Sequence, residues 1–410
     1  MAIAYIVFDV VPAPKGAAIH IAAFAQQLAA RAGALVLVTV APEAGVSPPA
    51  LTLPGVELVW LPARGATLIQ RVLDFRAHLR RWLAGRRFAA IQFRSPYEGW
   101  VLALEPGRYA EHLIFEVNGL PSLELKYRYP EVADDRELMQ KLWVQEQRCL
   151  QVAAAVLTPS PVTRDYLLTR GVPAAKLTVI PNGVDLDLFR YQAPRWRSPG
   201  EPLQLLYFGI LAAWQGVDLA VRAVALVAAK EPVGFTVIGR GTRAQVQALE
   251  RLAAKLGIGD RVCYRPPVPQ AALLAHLHAA DATLVPLALN DRNLVQGCCP
   301  LKLLESMAAG RPAIASDLPV TRALGRSERE FLLVKPGAVQ PLADAILRLA
   351  AQPALGQRLA AQARQWVEAH YTWERAGAAL AAVYQELETR PGRDVGSCFG
   401  SHDRQDGKPD

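Results

Sequence analysis

LQLLYFGILAAWQGVDLAVRAVALVAAKEPVGFTVIGRG, residues 203–241, decides the fold. LQLLYFGI is an apolar run of strand length that ends near a glycine. GVDLAVRAVALVAAK repeats its apolar residues at helical spacing, and GFTVIGRG returns to strand composition before a Gly-Arg-Gly turn. A strand–helix–strand unit with continuously apolar strands belongs to a parallel sheet covered by helices on both faces. The pattern runs on through RVCYRP, HLHAADATLVPL and PAIASD, with helical stretches between them and around VQPLADAILRLAAQ. It also runs upstream, where AYIVFDV, ALVLVTV, FAAIQF, HLIFEV, AAVLTPS and KLTVIPN read as strands.

Two such series imply an α/β chain of two doubly wound domains, with the ligand crevice at the strand C-termini. The expected division is 1–194 and 195–370, with the polar, Pro-containing stretch 185–202 as linker. A last helix, near 373–388 within 371–390, has no strand after it and is expected to cross back onto the first domain. The Gly- and charge-rich stretch 391–410 reads as a disordered tail.

At 410 residues, 52% hydrophobic and 20% charged, the chain is globular. It contains no uncharged apolar run of bilayer-spanning length. The net charge of +8 favours anionic partners, and neither a finger nor an RNP-type motif points to nucleic acid. Five cysteines without zinc spacing suggest a reducing compartment, and MAIAYIVFDVVP lacks the pattern of a secretory signal. The expectation is a cytoplasmic protein, with peripheral contact at the inner face of the membrane as an alternative.

QGCCPLKLLESMAAGRP, 296–312, carries the sharpest chemical signal. Pro300 suits a first helical turn, Gly310 the left-handed residue after a helix, and Pro312 prevents resumption. The first amides, of Leu301 and Lys302, point out of the helix together with the positive end of its dipole. Glu305 lies one turn from Lys302. The arrangement reads as an anion site or as a surface Lys–Glu pair.

Taken with IPNGVDLDLF at 180–189, the GVDLAVRA helix and the run from ESMAAGRPAIASD to LLVKPG, these residues resemble glycosyltransferase family 4. That resemblance implies a GT-B fold, two Rossmann-like domains facing across a cleft. It also implies retaining transfer of a hexosyl group from a nucleoside-diphosphate sugar to a hydroxyl acceptor, in glycan, polysaccharide or glycolipid synthesis. No cofactor and no metal are implied. On this pattern the Leu301 and Lys302 amides hold the donor diphosphate and Glu305 the ribose.

The match has departures. The family's other glutamate would stand eight residues before Glu305, where this chain has Gly297; Asp291 is the candidate to replace it. Ile210 and Gln215 stand where an arginine and a lysine are common. Lys302 then becomes the main counter-charge for the leaving group, with Arg240, Gly241 and Arg243 as further donor contacts or solvated loop residues. The backbone around Val268, in RPPVP at 265–269, would present groups to the base.

In the first domain Lys15, Gly16 and Ala17 match the family's glycine-rich loop, which implies that Gly16 comes close to phosphate or acceptor, while Lys15 contacts an anionic acceptor or is solvated. Asn118 aligns with a histidine that touches the donor sugar, or makes a tight turn with Gly119. Arg94 and Glu98 border the acceptor or pair with each other. Asn182–Gly183 reads as a turn near the hinge without chemistry. RVLDFRAHLRRWLAGRRF, 71–88, has Val72, Phe75, Leu79, Trp82 and Leu83 on one face, beside Arg76, Arg80 and Arg87. It is an ordinary surface helix or one that docks on anionic lipid. A donor-binding partner without catalysis and a sugar-nucleotide epimerase or phosphorylase are the alternative functions.

Overall fold

The computed structural model describes residues 2–13, 15–42, 53–195, 197–198 and 200–389. The tail expected at 391–410, with Cys398, lies outside the described residues. The first sheet contains β1 (Ile3–Ile6), β2 (Leu35–Val40), β3 (Val56–Leu61), β4 (Phe88–Phe93), β5 (Ala110–Glu116), β6 (Ala155–Thr158) and β7 (Leu177–Val179). Its strand order is β3-β2-β1-β4-β5-β6-β7, and all its pairings are parallel.

The second sheet contains β8 (Leu203–Phe208), β9 (Val233–Ile238), β10 (Val262–Arg265), β11 (Ala282–Val285), β12 (Ala313–Ser316) and β13 (Leu332–Val334). Its order is β10-β9-β8-β11-β12-β13, also all parallel. β1 and β8 are each first in sequence yet interior in their sheets. The chain therefore leaves each of them in one direction and later returns on the other side. That reversal opens a crevice at the strand C-termini, between β1 and β4 and between β8 and β11.

Apolar cores form on both faces of each sheet, as the continuously apolar strands require. The basic helix Leu68–Leu83 buries Val72, Phe75, Leu79 and Leu83 in the first domain's core. Arg76 is drawn in as well, donating to the carbonyls of Pro96 and Tyr97 and to the Gln145 side chain. The face read as a possible lipid face is thus a core face. Ile69 and Leu73, on the other side of the helix, are exposed.

The segment after Val184 belongs to the second domain, unlike a loose linker. Val184 and Phe189 are buried in that domain's core. Arg311 donates to the carbonyls of Ala280 and Gln192, and Arg364 to those of Phe189 and Ala308. These cations hold the chain down through backbone oxygens, which no spacing rule exposes.

The crossing between domains lies a few residues earlier. Val184 pairs with Thr372 in a parallel bridge, so the outgoing and returning strands touch. A Cβ on Gly183 would come within 2.4 Å of the Trp373 nitrogen, which only glycine avoids. The helix Trp373–Thr389 then packs across the first domain against helix Gly16–Ala32.

Candidate active site

The helix Leu301–Ala308 starts at the crevice with Pro300 ahead of it and without a side-chain cap. Among the described residues, no side chain caps its opening amides. Leu301 packs against the core of the first domain. A Cβ on Gly16 would lie 3.2 Å from the Leu301 Cδ1 atom, so the first domain's glycine loop sits directly over this helix end.

Lys302 is buried, and its ammonium donates to the Tyr207 hydroxyl at 3.0 Å and to the Gln215 side-chain oxygen. It also lies 4.1 Å from the centre of the Tyr207 ring. All three contacts are uncharged. Burial pushes the ammonium down to about 7, with Cys298 and Glu305 pulling the other way and Arg292 adding to the fall. Glu305, one turn on, is pushed up to about 7 by burial, against a hydrogen bond from Gln270 and the charge of Lys302. The pair is a buried cation and a buried carboxyl that lack full compensation in the ligand-free chain.

Gly209 and Gly239 close the floor beside Lys302. Both have positive φ, and a Cβ on Gly239 would fall 1.6 Å from the Gly209 oxygen. A Cβ on Gly209 would reach 3.1 Å from the Lys302 Nζ atom. Glycine at these strand ends lets backbone approach the ammonium closely. Gln215 takes the place where a second cation was expected and is itself a partner of Lys302. Ile210 is exposed, with its carbonyl accepting from Tyr207. Gly241 packs against Leu211, while Arg240 is exposed just after β9 and Arg243 is exposed at the start of the helix Arg243–Lys255. Val268 is half-buried before the Gln270 helix, whose first residue reaches Glu305.

The first domain supplies a different kind of site. Glu116, the last residue of β5, accepts from the Tyr5 hydroxyl at 2.6 Å and Gln92 Nε2 at 2.6 Å. It also accepts from Arg94 Nε at 2.9 Å, His20 Nε2 at 2.6 Å and Asn118 Nδ2. Burial alone would raise its pKa, but the charges and hydrogen bonds of His20 and Arg94 hold the carboxyl well below the usual carboxylate range. Sequence reading missed Glu116 and His20 as a pair, because no local spacing joins them.

Several expected residues turn out to have other duties. Glu98 is fully buried and caps the helix Pro96–Leu104, accepting from the Arg94 and Ser95 amides and the Ser95 hydroxyl. It therefore does not line the crevice, and burial holds its pKa raised against those hydrogen bonds. The Arg94 guanidinium goes to Glu116, so the expected Arg94–Glu98 side-chain pair does not form. Lys15 pairs with Asp9.

Asp291, the candidate replacement for a glutamate at 297, instead binds Lys126 and Tyr127 of the first domain. Gly297 is explained by packing. It has φ +81°, and a Cβ there would lie 2.8 Å from both the Ser160 and Thr163 hydroxyl oxygens. A glutamate has no room. Its neighbours lock the domains together: Arg292 donates to Glu124 at 2.9 Å, and Gln296 donates to Glu124 and accepts from the Leu120 amide. Asn182 is more than a turn, since its side chain joins His20 to the carbonyl of Cys299.

Residues 14–188 match the family described as Glycosyltransferase Family 4, and residues 202–352 match Glycosyl transferases group 1. The two matches fall on the two sheets in order. The chain belongs to glycosyltransferase family 4, group 1. Among curated relatives, D-inositol 3-phosphate glycosyltransferase of Xylanimonas cellulosilytica is 29% identical over 61% of this chain and 61% of its own length. The matched part is thus less than two thirds of that relative.

Among solved structures, sucrose-phosphate synthase from Thermosynechococcus elongatus superposes with a TM-score of 0.80. It is 24% identical and covers 95% of this chain and 99% of its own. HepE from Anabaena, solved in complex with UDP and glucose, gives 0.72 at 16% identity over 94% of this chain and 100% of its own. These likenesses show the two-domain GT-B fold.

Proposed function

We propose that the chain is a retaining glycosyltransferase that moves a hexosyl group from a nucleoside-diphosphate sugar to a hydroxyl acceptor in glycan synthesis. The observation that carries this is Lys302, a buried ammonium whose hydrogen-bond partners among the described residues are neutral, at the open end of a helix in the crevice. A diphosphate supplies the missing counter-charge and accepts from the Leu301 and Lys302 amides. Glu305, ionised, accepts from the ribose hydroxyls. The group 1 family match supports the donor class, as does the fold shared with HepE, which was solved with UDP and glucose.

In the proposed reaction the bond from the anomeric carbon to the diphosphate breaks while the acceptor oxygen bonds to that carbon on the same face. The acceptor proton passes to the departing phosphate oxygen. Lys302 and the helix amides stabilise the charge that develops there. Gly16 brings the first domain's backbone over the same point, and Asn118 borders the sugar. Closure of the two domains positions acceptor against donor. The chemistry as proposed uses no metal, and the cytoplasm is its proposed setting.

Thermal melts against UDP-, GDP-, ADP- and dTDP-sugars test the reading, with Glu305→Ala alongside. A donor at 100 times its Kd adds about 2.7 kcal/mol. One base should stabilise the wild type and not the variant. Stabilisation by none of them, or equally in both, removes the reading; donor binding without transfer to any acceptor would favour a non-catalytic partner.

Membrane contact is a second part of the proposal, supported by the exposed Ile69 and Leu73 on a helix that carries Arg80 and Arg81 in its last turn. Flotation with vesicles containing acidic lipid at low salt should carry the protein upward. Protein left at the bottom of the gradient rejects that part.

A further inference from the structure

His20 lies where the first domain meets the lead-in to the Leu301 helix, and the polarity of its hydrogen bonds is fixed from both sides. Asn182 Nδ2 lies 2.7 Å from the Cys299 carbonyl oxygen, which can only accept, so the amide nitrogen must point there. The amide oxygen of Asn182 then faces His20 Nδ1 at 2.7 Å and can only accept in turn. On the other side, His20 Nε2 stands 2.6 Å from Glu116 Oε1, and both oxygens of that carboxyl accept from N–H donors of Gln92, Arg94 and Asn118, as a carboxylate does. Both ring nitrogens meet acceptors, so both must carry protons.

The surroundings agree. Glu116 is the anion facing the ring, with Arg94, Tyr5, Gln92 and Asn118 gathered on the same carboxylate. Phe24 on its own helix and Trp373 of the C-terminal helix cover the ring, with centroids at 4.0 and 5.7 Å.

We propose that His20 is a positioning residue that acts as an imidazolium, tying Glu116 of the first domain through Asn182 to the carbonyl of Cys299. That carbonyl lies two residues before Leu301, so the chain of bonds sets where the helix end stands against the first domain. Loss of one ring proton breaks the chain. A bare Nδ1 would face the Asn182 oxygen, and turning the amide to relieve that contact would set its oxygen against Cys299. The ring touches neither donor nor acceptor in this account, and the consequence for donor binding rests on the function proposed above.

The test is nuclear magnetic resonance of the full chain with ring-15N-labelled histidine at pH 8, where an unperturbed imidazole of pKa about 6.5 has lost a proton. One histidine should keep both nitrogens protonated, and its signals should vanish in His20→Gln. In Asn182→Leu that ring should lose its second proton. If no ring is doubly protonated in the wild type, or the signal survives His20→Gln or is unchanged in Asn182→Leu, the proposal is wrong.

The linked readout is UDP and GDP affinity by calorimetry, expected to be about tenfold weaker in folded His20→Gln, one charged hydrogen bond's worth. Unchanged affinity would reject the positioning role. If neither nucleotide binds the wild type, the donor reading fails, while the resonance experiment still decides the state of His20.

Discussion

Two buried charges face one crevice from opposite domains, and they are treated in opposite ways. Glu116 is surrounded by donors, among them the Arg94 guanidinium and the His20 ring. Lys302 has a hydroxyl, an amide oxygen and an aromatic face. A buried charge without a partner is costly unless something supplies the partner. The first site is complete in the chain alone. The second is left incomplete, and a ligand of opposite charge would complete it. On the proposed function, the first domain's cluster is framework and the second domain's helix end does the binding.

The largest effect is expected at Glu116. Glu116→Gln leaves Arg94 and His20 buried without their anion, and breaking such a pair costs about 3–5 kcal/mol. Chemical denaturation of the first domain should shift to a clearly lower midpoint. A variant as stable as the wild type would mean that the cluster is not the framework described.

The pH dependence of stability sharpens the other side, with a smaller effect. Lys302 falls from an ordinary value of 10.5 to about 7 on folding, so the unfolded chain holds the extra proton between those values. Its contribution to stability therefore rises with pH through that window. Glu305 rises from 4.5 to about 7, so the folded chain holds the extra proton there, and its contribution falls as pH climbs towards 7. Together they place a shallow minimum of ligand-free stability near pH 7. Melts across pH 5–9 should show this dip in the wild type and lose it in a Lys302→Met, Glu305→Gln double variant. A dip that persists in the double variant belongs to other groups.

How far each region was legible follows from how its contacts are spread along the chain. The Leu301 helix carries its proline, its lysine and its glutamate within a few residues, so periodicity and end signals found it. The two sheets were legible because their strands are short, apolar and regularly separated by helical runs. Glu116 gathers Tyr5, 111 residues away, and His20, 96 away, while His20 meets Asn182 across 162. Such a cluster exists only once the sheet order brings β1, β4 and β5 side by side. Glu98 misled for a related reason, since a Ser-x-x-Glu spacing at 95–98 also signals a capping box, which is what formed. Gly297 reads as a missing acid in sequence. In the structure it is a contact point with Ser160 and Thr163 that leaves no space for one.

On the proposed function, the Lys302 ammonium is kept for an anionic donor. Calorimetric titration of wild type and Lys302→Met with UDP and GDP at pH 7 tests it most directly. The wild type should bind one of the two nucleotides. The variant should bind it at least about a hundredfold more weakly, as expected when a desolvated charge contact to a diphosphate is removed. In the absence of nucleotide it should melt no lower than the wild type, since an apolar side chain there removes an uncompensated charge. Equal affinity in the two proteins would mean that the ammonium does not hold the donor.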